Sequence, residues 1–113
     1  METSTAVEAL DALAHETRLR VFRLLASCSP GGLPAGAIAA RLEIAPSTLS
    51  FHLAHLERAG LVDAEADGRT RVYTLRGDGF RALLGFLADD CCQGRPELCR
   101  PAVGRRARRR TRA

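Results

Sequence analysis

Ala45-Pro46-Ser47-Thr48-Leu49-Ser50-Phe51-His52-Leu53-Ala54-His55-Leu56-Glu57-Arg58-Ala59-Gly60 is the stretch on which the fold turns. Leu49, Leu53 and Leu56 recur at i, i+4 and i+7, the spacing that gathers side chains on one face of a helix. Pro46 suits a first helical turn, where its missing N–H costs nothing, and Gly60 is a natural C-terminal stop. Toward the N-terminus, Pro34 can open a short helix as its first residue, carrying Ile38, Ala39 and Leu42 inward. Only Glu43-Ile44-Ala45 lie between the two segments, room for nothing but a tight turn. Two short helices joined in this way read as a helix-turn-helix.

Further out, Ser29-Pro30-Gly31-Gly32 stops the preceding structure. Before it, residues 16–27 place Leu19, Phe22, Leu25 and Ala26 on one helical face, and residues 6–14 place Val7, Leu10, Leu13 and Ala14 at helical spacing. Downstream, residues 61–66 and 71–75 are short strand candidates around Asp67-Gly68, a strong signal for a tight hairpin. Phe80, Leu83, Leu84 and Leu87 then mark a last helix, a stripe that suits either the core or a partner. The expected fold is mainly α with a small β-hairpin (α+β), a winged helix-turn-helix.

The 113 residues point to one domain, and the 46% apolar and 27% charged fractions are those of a soluble globular chain. No apolar run approaches the roughly 20 residues a membrane span needs, and METSTAVEAL lacks the pattern of a secretory signal, so no membrane and a cytoplasmic location are expected. All 17 basic residues are Arg. Residues 1–99 carry 10 Arg against 13 acids, whereas residues 100–113 carry seven Arg and no acid. The positive charge therefore belongs to the tail. We expect a folded domain over 1–99 and a disordered Arg-rich tail over 100–113, serving either solubility or sequence-blind attraction to nucleic acid.

In a helix-turn-helix the second helix enters the major groove and offers its first turns to base edges. With the three leucines committed to the core, the outward residues are Ser47, Thr48, Ser50, Phe51 and His52. Hydroxyls can donate or accept at several bases, and an aromatic ring can meet a thymine methyl. Ser47 can equally cap the helix, Phe51 can equally join the core, and His52 suits a structural hydrogen bond or a phosphate contact better than a metal. Arg69 and Arg71 at the hairpin tip suit phosphate or minor-groove contacts. Arg18, Arg20 and Arg23, near Glu16, are expected in surface ion pairs.

Four stretches together resemble the ArsR/SmtB metalloregulators: Leu13-Ala14-His15-Glu16-Thr17-Arg18-Leu19-Arg20, Ala45 through Leu53, Leu56-Glu57-Arg58-Ala59-Gly60-Leu61-Val62, and the Gly68-Arg69 wing. The resemblance covers about residues 5–99. It implies a homodimeric repressor on a palindromic double-stranded operator, released by an inducer. Its first and last helices would form the interface, here through Leu10, Leu13, Phe80, Leu83, Leu84 and Leu87. The Cys-x-Cys pair that many members carry before the recognition helix is missing from residues 34–42, and residues 78–90 contain no His for a zinc site on the last helix.

Instead, Cys91, Cys92 and Cys99 form a CC-x6-C cluster that resembles arsenite-responsive members with a site at the C-terminus of each subunit. Gly94 and Pro96 can fold Cys99 back over the pair. As(III) and Sb(III) are soft, take three thiolates pyramidally and are neutralised by them. Zn²⁺ would need a fourth ligand, which Glu97 can supply. The same thiols can form a redox pair, giving an oxidation-sensing regulator of the same fold. A third reading is a metalloid-binding thiol protein that does not read DNA. Cys28, alone at a helix end, is expected to be a small buried residue. No catalytic cofactor is implied, and a Cys-x5-Arg oxyanion loop is lacking, since Glu97 and Leu98 follow Cys91 and Cys92 by six residues. An enzyme is not expected.

Overall fold

A computed structural model of the chain describes residues 1–91 together with 93, 95 and 97. Five helices and three strands follow in the order α1 (Thr3–Leu13), α2 (Glu16–Ser27), β1 (Leu33–Pro34), α3 (Ala35–Leu42), α4 (Pro46–Arg58), β2 (Val62–Asp67), β3 (Thr70–Leu75) and α5 (Gly77–Phe86). One turn of π-helix, Leu87–Cys91, extends α5. This is the winged helix-turn-helix expected from the sequence, with one strand more. The Arg-rich tail at 100–113 lies outside the described residues.

The extra strand corrects the reading of Pro34. Leu33 and Pro34 pair antiparallel with Tyr73 and Val72, giving the sheet order β1-β3-β2, and the helix begins one residue later. Proline tolerates this place because β1 is an edge strand, where a missing N–H removes no necessary ladder bond.

The hairpin also sits one residue from its expected register. Asp67 pairs with Thr70, so Gly68 and Arg69 form the loop. Gly68 has φ +67° and Arg69 no positive φ, the arrangement of a type II′ turn with Gly first. Arg69 thereby occupies the tip of the wing.

The core gathers Val21, Phe22 and Leu25 of α2, Ile38 and Ala39 of α3, Leu49, Leu53 and Leu56 of α4, Leu61 and Val62, and Leu83 of α5. Phe22 meets Phe80 at 4.9 Å between ring centroids. Helix α1 contributes Ala6, Ala9 and Ala12, not the larger Val7 and Leu10, which are exposed. Alanines let α1 lie close against the body, and its bulky residues are left on the outer face. In α2 likewise Leu19 and Ala26 face out, while Arg18 is buried. Gly60 ends α4 as expected: Leu61 N–H donates to Leu56 O and Gly60 N–H to Glu57 O, a Schellman closure with Gly60 at φ +78°. The start of α5 crosses this closure so tightly that a Cβ on Gly79 would collide with the Gly60 carbonyl.

Candidate nucleic-acid interface

Glu43 at φ +54° turns the chain out of α3, and Ile44 N–H closes the turn on Ala39 O at 3.0 Å. Pro46 then sits in the first turn of α4, whose N-cap, Ala45, makes no side-chain cap bond. Ser47 is therefore not the cap. It is exposed, and so are Thr48 and Ser50. Phe51 is 62% exposed, so the aromatic is not a core residue. Its ring stands edge-on to those of His52 and His55, at 5.4 and 6.4 Å. Four of the five residues expected to face outward on α4 do so.

The fifth does not. His52 is 6% exposed and turned toward α1 and α2. Arg18, 7% exposed, donates through Nη1 to His52 Nδ1 at 3.2 Å, through Nε to Ala12 O at 2.7 Å and through Nη2 to Asp11 O at 3.5 Å. Arg18 is thus no surface ion-pair residue; its planar fork collects carbonyls at the C-terminal end of α1 and joins them to the recognition helix. A guanidinium can only donate, so His52 Nδ1 accepts and the ring proton is on Nε2. Burial is the main cause pushing the His52 pKa down from its ordinary 6.5, with the charges of His15, Arg18 and His55 adding to it.

Both misplacements had a signal in the sequence. Leu49, His52, Leu53 and Leu56 form a complete i, i+3, i+4, i+7 set, and so do Arg18, Val21, Phe22 and Leu25. Around this pair, His15 caps α2 by accepting from Thr17 N–H at 3.1 Å, and its ring lies 4.6 Å from that of His52. His55 Nε2 meets Asp11 Oδ2 at 3.2 Å, a second link between α4 and α1, while its buried Nδ1 has no partner among the described residues. The described residues hold no group of three His, Cys, Asp or Glu arranged to bind a metal ion.

Arg69 and Arg71 are both exposed on the wing, but differently held. Arg71 approaches Glu57 of α4 at 3.6 Å and lies over the Tyr73 ring at 5.9 Å, which ties the wing to the recognition helix. Arg69 projects at the tip. Of the residues expected at a subunit interface, Leu10 and Leu84 are 42% and 47% exposed, and Leu13, Phe80 and Leu87 are half-buried. Leu83, expected at that interface, is 2% exposed and belongs instead to this chain's own core.

Of the cysteine site, the backbone of Cys91 closes the π turn, and Cys92 and Cys99 lie outside the described residues. Glu97 pairs with Arg95 at 2.9 Å. Cys28 is half-buried at the end of α2. No helix among the described residues is long and apolar enough to cross a membrane.

A family model described as a helix-turn-helix domain matches residues 13–65. The chain is 36% identical over 91 residues to the transcriptional activator HlyU of Vibrio cholerae, covering 80% of this chain and 82% of that protein. The solved structure of HlyU superposes with a TM-score of 0.64, covering 81% of this chain and 99% of that one, and a structure titled reduced HlyU with 0.62, covering 76% and 87%, each at 36% identity. A putative arsenical resistance operon repressor of Halobacterium salinarum is 36% identical over 80 residues, 69% of this chain and 61% of that protein. A homodimeric winged helix-turn-helix domain from Mycobacterium bovis, titled a possible ArsR-family regulator, matches at 31% identity and a TM-score of 0.63 over 71% of this chain and 72% of that one. These relatives are regulators of transcription, not enzymes.

Proposed function

Because the chain belongs to the ArsR/HlyU family of DNA-binding winged-helix transcriptional regulators, we propose that it is a homodimeric cytoplasmic repressor released from its operator when As(III) or Sb(III) binds Cys91, Cys92 and Cys99. The observation that carries this reading is the CC-x6-C cluster starting where the π turn after α5 ends. A soft trivalent metalloid takes three thiolates and needs no further counter-charge. The likeness to a putative arsenical resistance repressor supports the same ligand.

The DNA surface is the first half of α4 with the wing. Ser47, Thr48 and Ser50 offer hydroxyls, Phe51 an apolar ring for a thymine methyl, and Arg69 and Arg71 charge for phosphates. With no Arg or Asn in the first half of α4 to make a bidentate Arg–guanine or Asn–adenine pair, the protein reads bases modestly and relies on DNA shape. The likeness to a homodimeric domain supports a dimer, and the exposed Leu10 and Leu84 on α1 and α5 give it an apolar face. Because the metalloid site directly follows α5, closing it shifts that interface. The spacing of the two recognition helices then departs from half-sites about one DNA turn (~34–36 Å) apart. A coupling of about 1–3 kcal/mol weakens DNA binding roughly 5–150-fold.

The test is an operator titration with and without arsenite on the wild type and on Cys91→Ser, Cys92→Ser and Cys99→Ser. Release of the wild type but of none of the variants supports the site; release of all three variants refutes it. A second reading has its own support, since one matching structure is titled a reduced form: the same thiols sense oxidation. Peroxide releasing DNA without metalloid favours that reading. Metalloid binding without any DNA preference would instead mark a thiol protein that reads no DNA.

A further inference from the structure

Helix α4 touches α1 through two polar links that the reading of DNA does not itself use. One is Arg18, which gathers Ala12 O and Asp11 O and donates to His52 Nδ1; the other is His55 with Asp11. His55 Nε2 lies 3.2 Å from the Asp11 carboxylate. His52 is an acceptor from a permanent cation, and a proton on Nδ1 both removes the acceptor and sets two cations in contact.

We propose that Arg18 and His52 are positioning residues for the recognition helix, and that operator binding requires His52 to be neutral, so that acidification loosens α4 from α1 and weakens DNA binding. This rests on the DNA-binding reading and not on the metalloid site. His52 is 6% exposed and is packed by groups from three sides. They are Arg18 from α2, His15 from the α1–α2 turn at 4.6 Å between rings, and His55 with its Asp11 partner from α4 and α1. No carboxylate is bonded to His52 among the described residues to hold its proton. The direction of its titration agrees, since burial first, and then the electrostatic influence of His15, Arg18 and His55, favours the neutral ring. Because the folded ring resists a proton that the unfolded ring accepts from pH 6.5 downward, the neutral contact is complete above 6.5. It is lost as pH falls through the lowered folded value. A phosphate-gripping histidine would behave oppositely, binding DNA more tightly as it charges.

The experiment measures fluorescence anisotropy of the full chain on a duplex selected by the chain itself from random DNA at pH 7.5, titrated downward for as long as circular dichroism shows the fold intact. The wild type should hold its affinity at pH 6.5 and lose it as pH falls through the lowered folded value, approaching about tenfold per pH unit below it for a single proton. His52→Asn keeps an acceptor near the Nδ1 position without titrating, so its affinity should stay flat. His15→Asn, which preserves a good cap, and His55→Gln should keep the wild-type fall. A flat wild type, an unchanged fall in His52→Asn, or a fall that vanishes in His15→Asn overturns the proposal, and so does affinity rising on acidification. Independently of any variant, ring ¹⁵N shifts of His52 at pH 7.5 should show the Nε2–H tautomer; an Nδ1–H ring contradicts it. Arsenite release of His52→Asn at pH 7.5 reports separately on the thiol site.

Discussion

Replacing Arg18 by Met keeps most of the side-chain stem and removes only the guanidinium. A surface ion pair lost in this way costs about 1 kcal/mol or less. The structure predicts more. Ala12 O and His52 Nδ1 each lose the donor at 2.7 and 3.2 Å, in a site where Arg18 and His52 are 7% and 6% exposed and Ala12 fully buried. A buried acceptor left unpaired costs about 1–3 kcal/mol. Two of them, less the relief of no longer burying a cation, give about 2–4 kcal/mol. In a domain of this size that lowers Tm by about 10 °C or more. Urea and thermal unfolding at fixed protein concentration, since a dimer links stability to concentration, read the difference. Arg18→Lys, a point charge in place of a fork, should fall between wild type and Met. A loss below about 0.5 kcal/mol in Arg18→Met would refute the reasoning, because surface substitutions away from such features fall in that range.

Other outcomes follow from single contacts. Gly79→Ala drives a methyl into the Gly60 carbonyl and should cost about 1–3 kcal/mol in a thermal melt. Gly85→Ala, with open space around it on the same helix, should be neutral or gain up to about 1 kcal/mol. Leu84→Glu, on the exposed side of α5, should leave the fold intact and shift sedimentation from dimer to monomer; a dimer that persists argues against that face. Arg69→Ala should reduce the salt dependence of DNA binding by about one ionic contact while leaving sequence preference unchanged. Arg71→Ala, already engaged by Glu57, should have the smaller effect on that slope.

The helix-turn-helix was legible because its determinants are local. Leu49, Leu53 and Leu56 face inward at 1%, 2% and 0% exposure, the turn has only three residues, and Gly60 closes α4. Less legible were positions where packing overrides side-chain type. On α1 both stripes have helical period, and periodicity alone does not reveal that Ala6, Ala9 and Ala12 rather than Val7 and Leu10 meet the core. Arg18 and His52 stand on core faces by spacing, yet their polarity suggested solvent; their mutual bond, with the bonds from Arg18 to Ala12 O and Asp11 O, compensates their burial. Leu33–Pro34 becomes a strand because β3 offers an edge, which two residues of sequence do not announce. The hairpin moved by one residue since strand pairing, not the Asp-Gly signal, fixes its loop. The thiol cluster remains legible as chemistry from its residues and spacing.

Arsenic X-ray absorption on the full reduced chain loaded with arsenite, one metalloid per subunit, measures the central claim most directly. The account predicts a shell of three sulfurs around arsenic, falling to two in Cys99→Ser together with loss of release from DNA. An arsenic shell of oxygen alone, or three sulfurs retained when Cys91, Cys92 and Cys99 are all replaced by Ser, would contradict it.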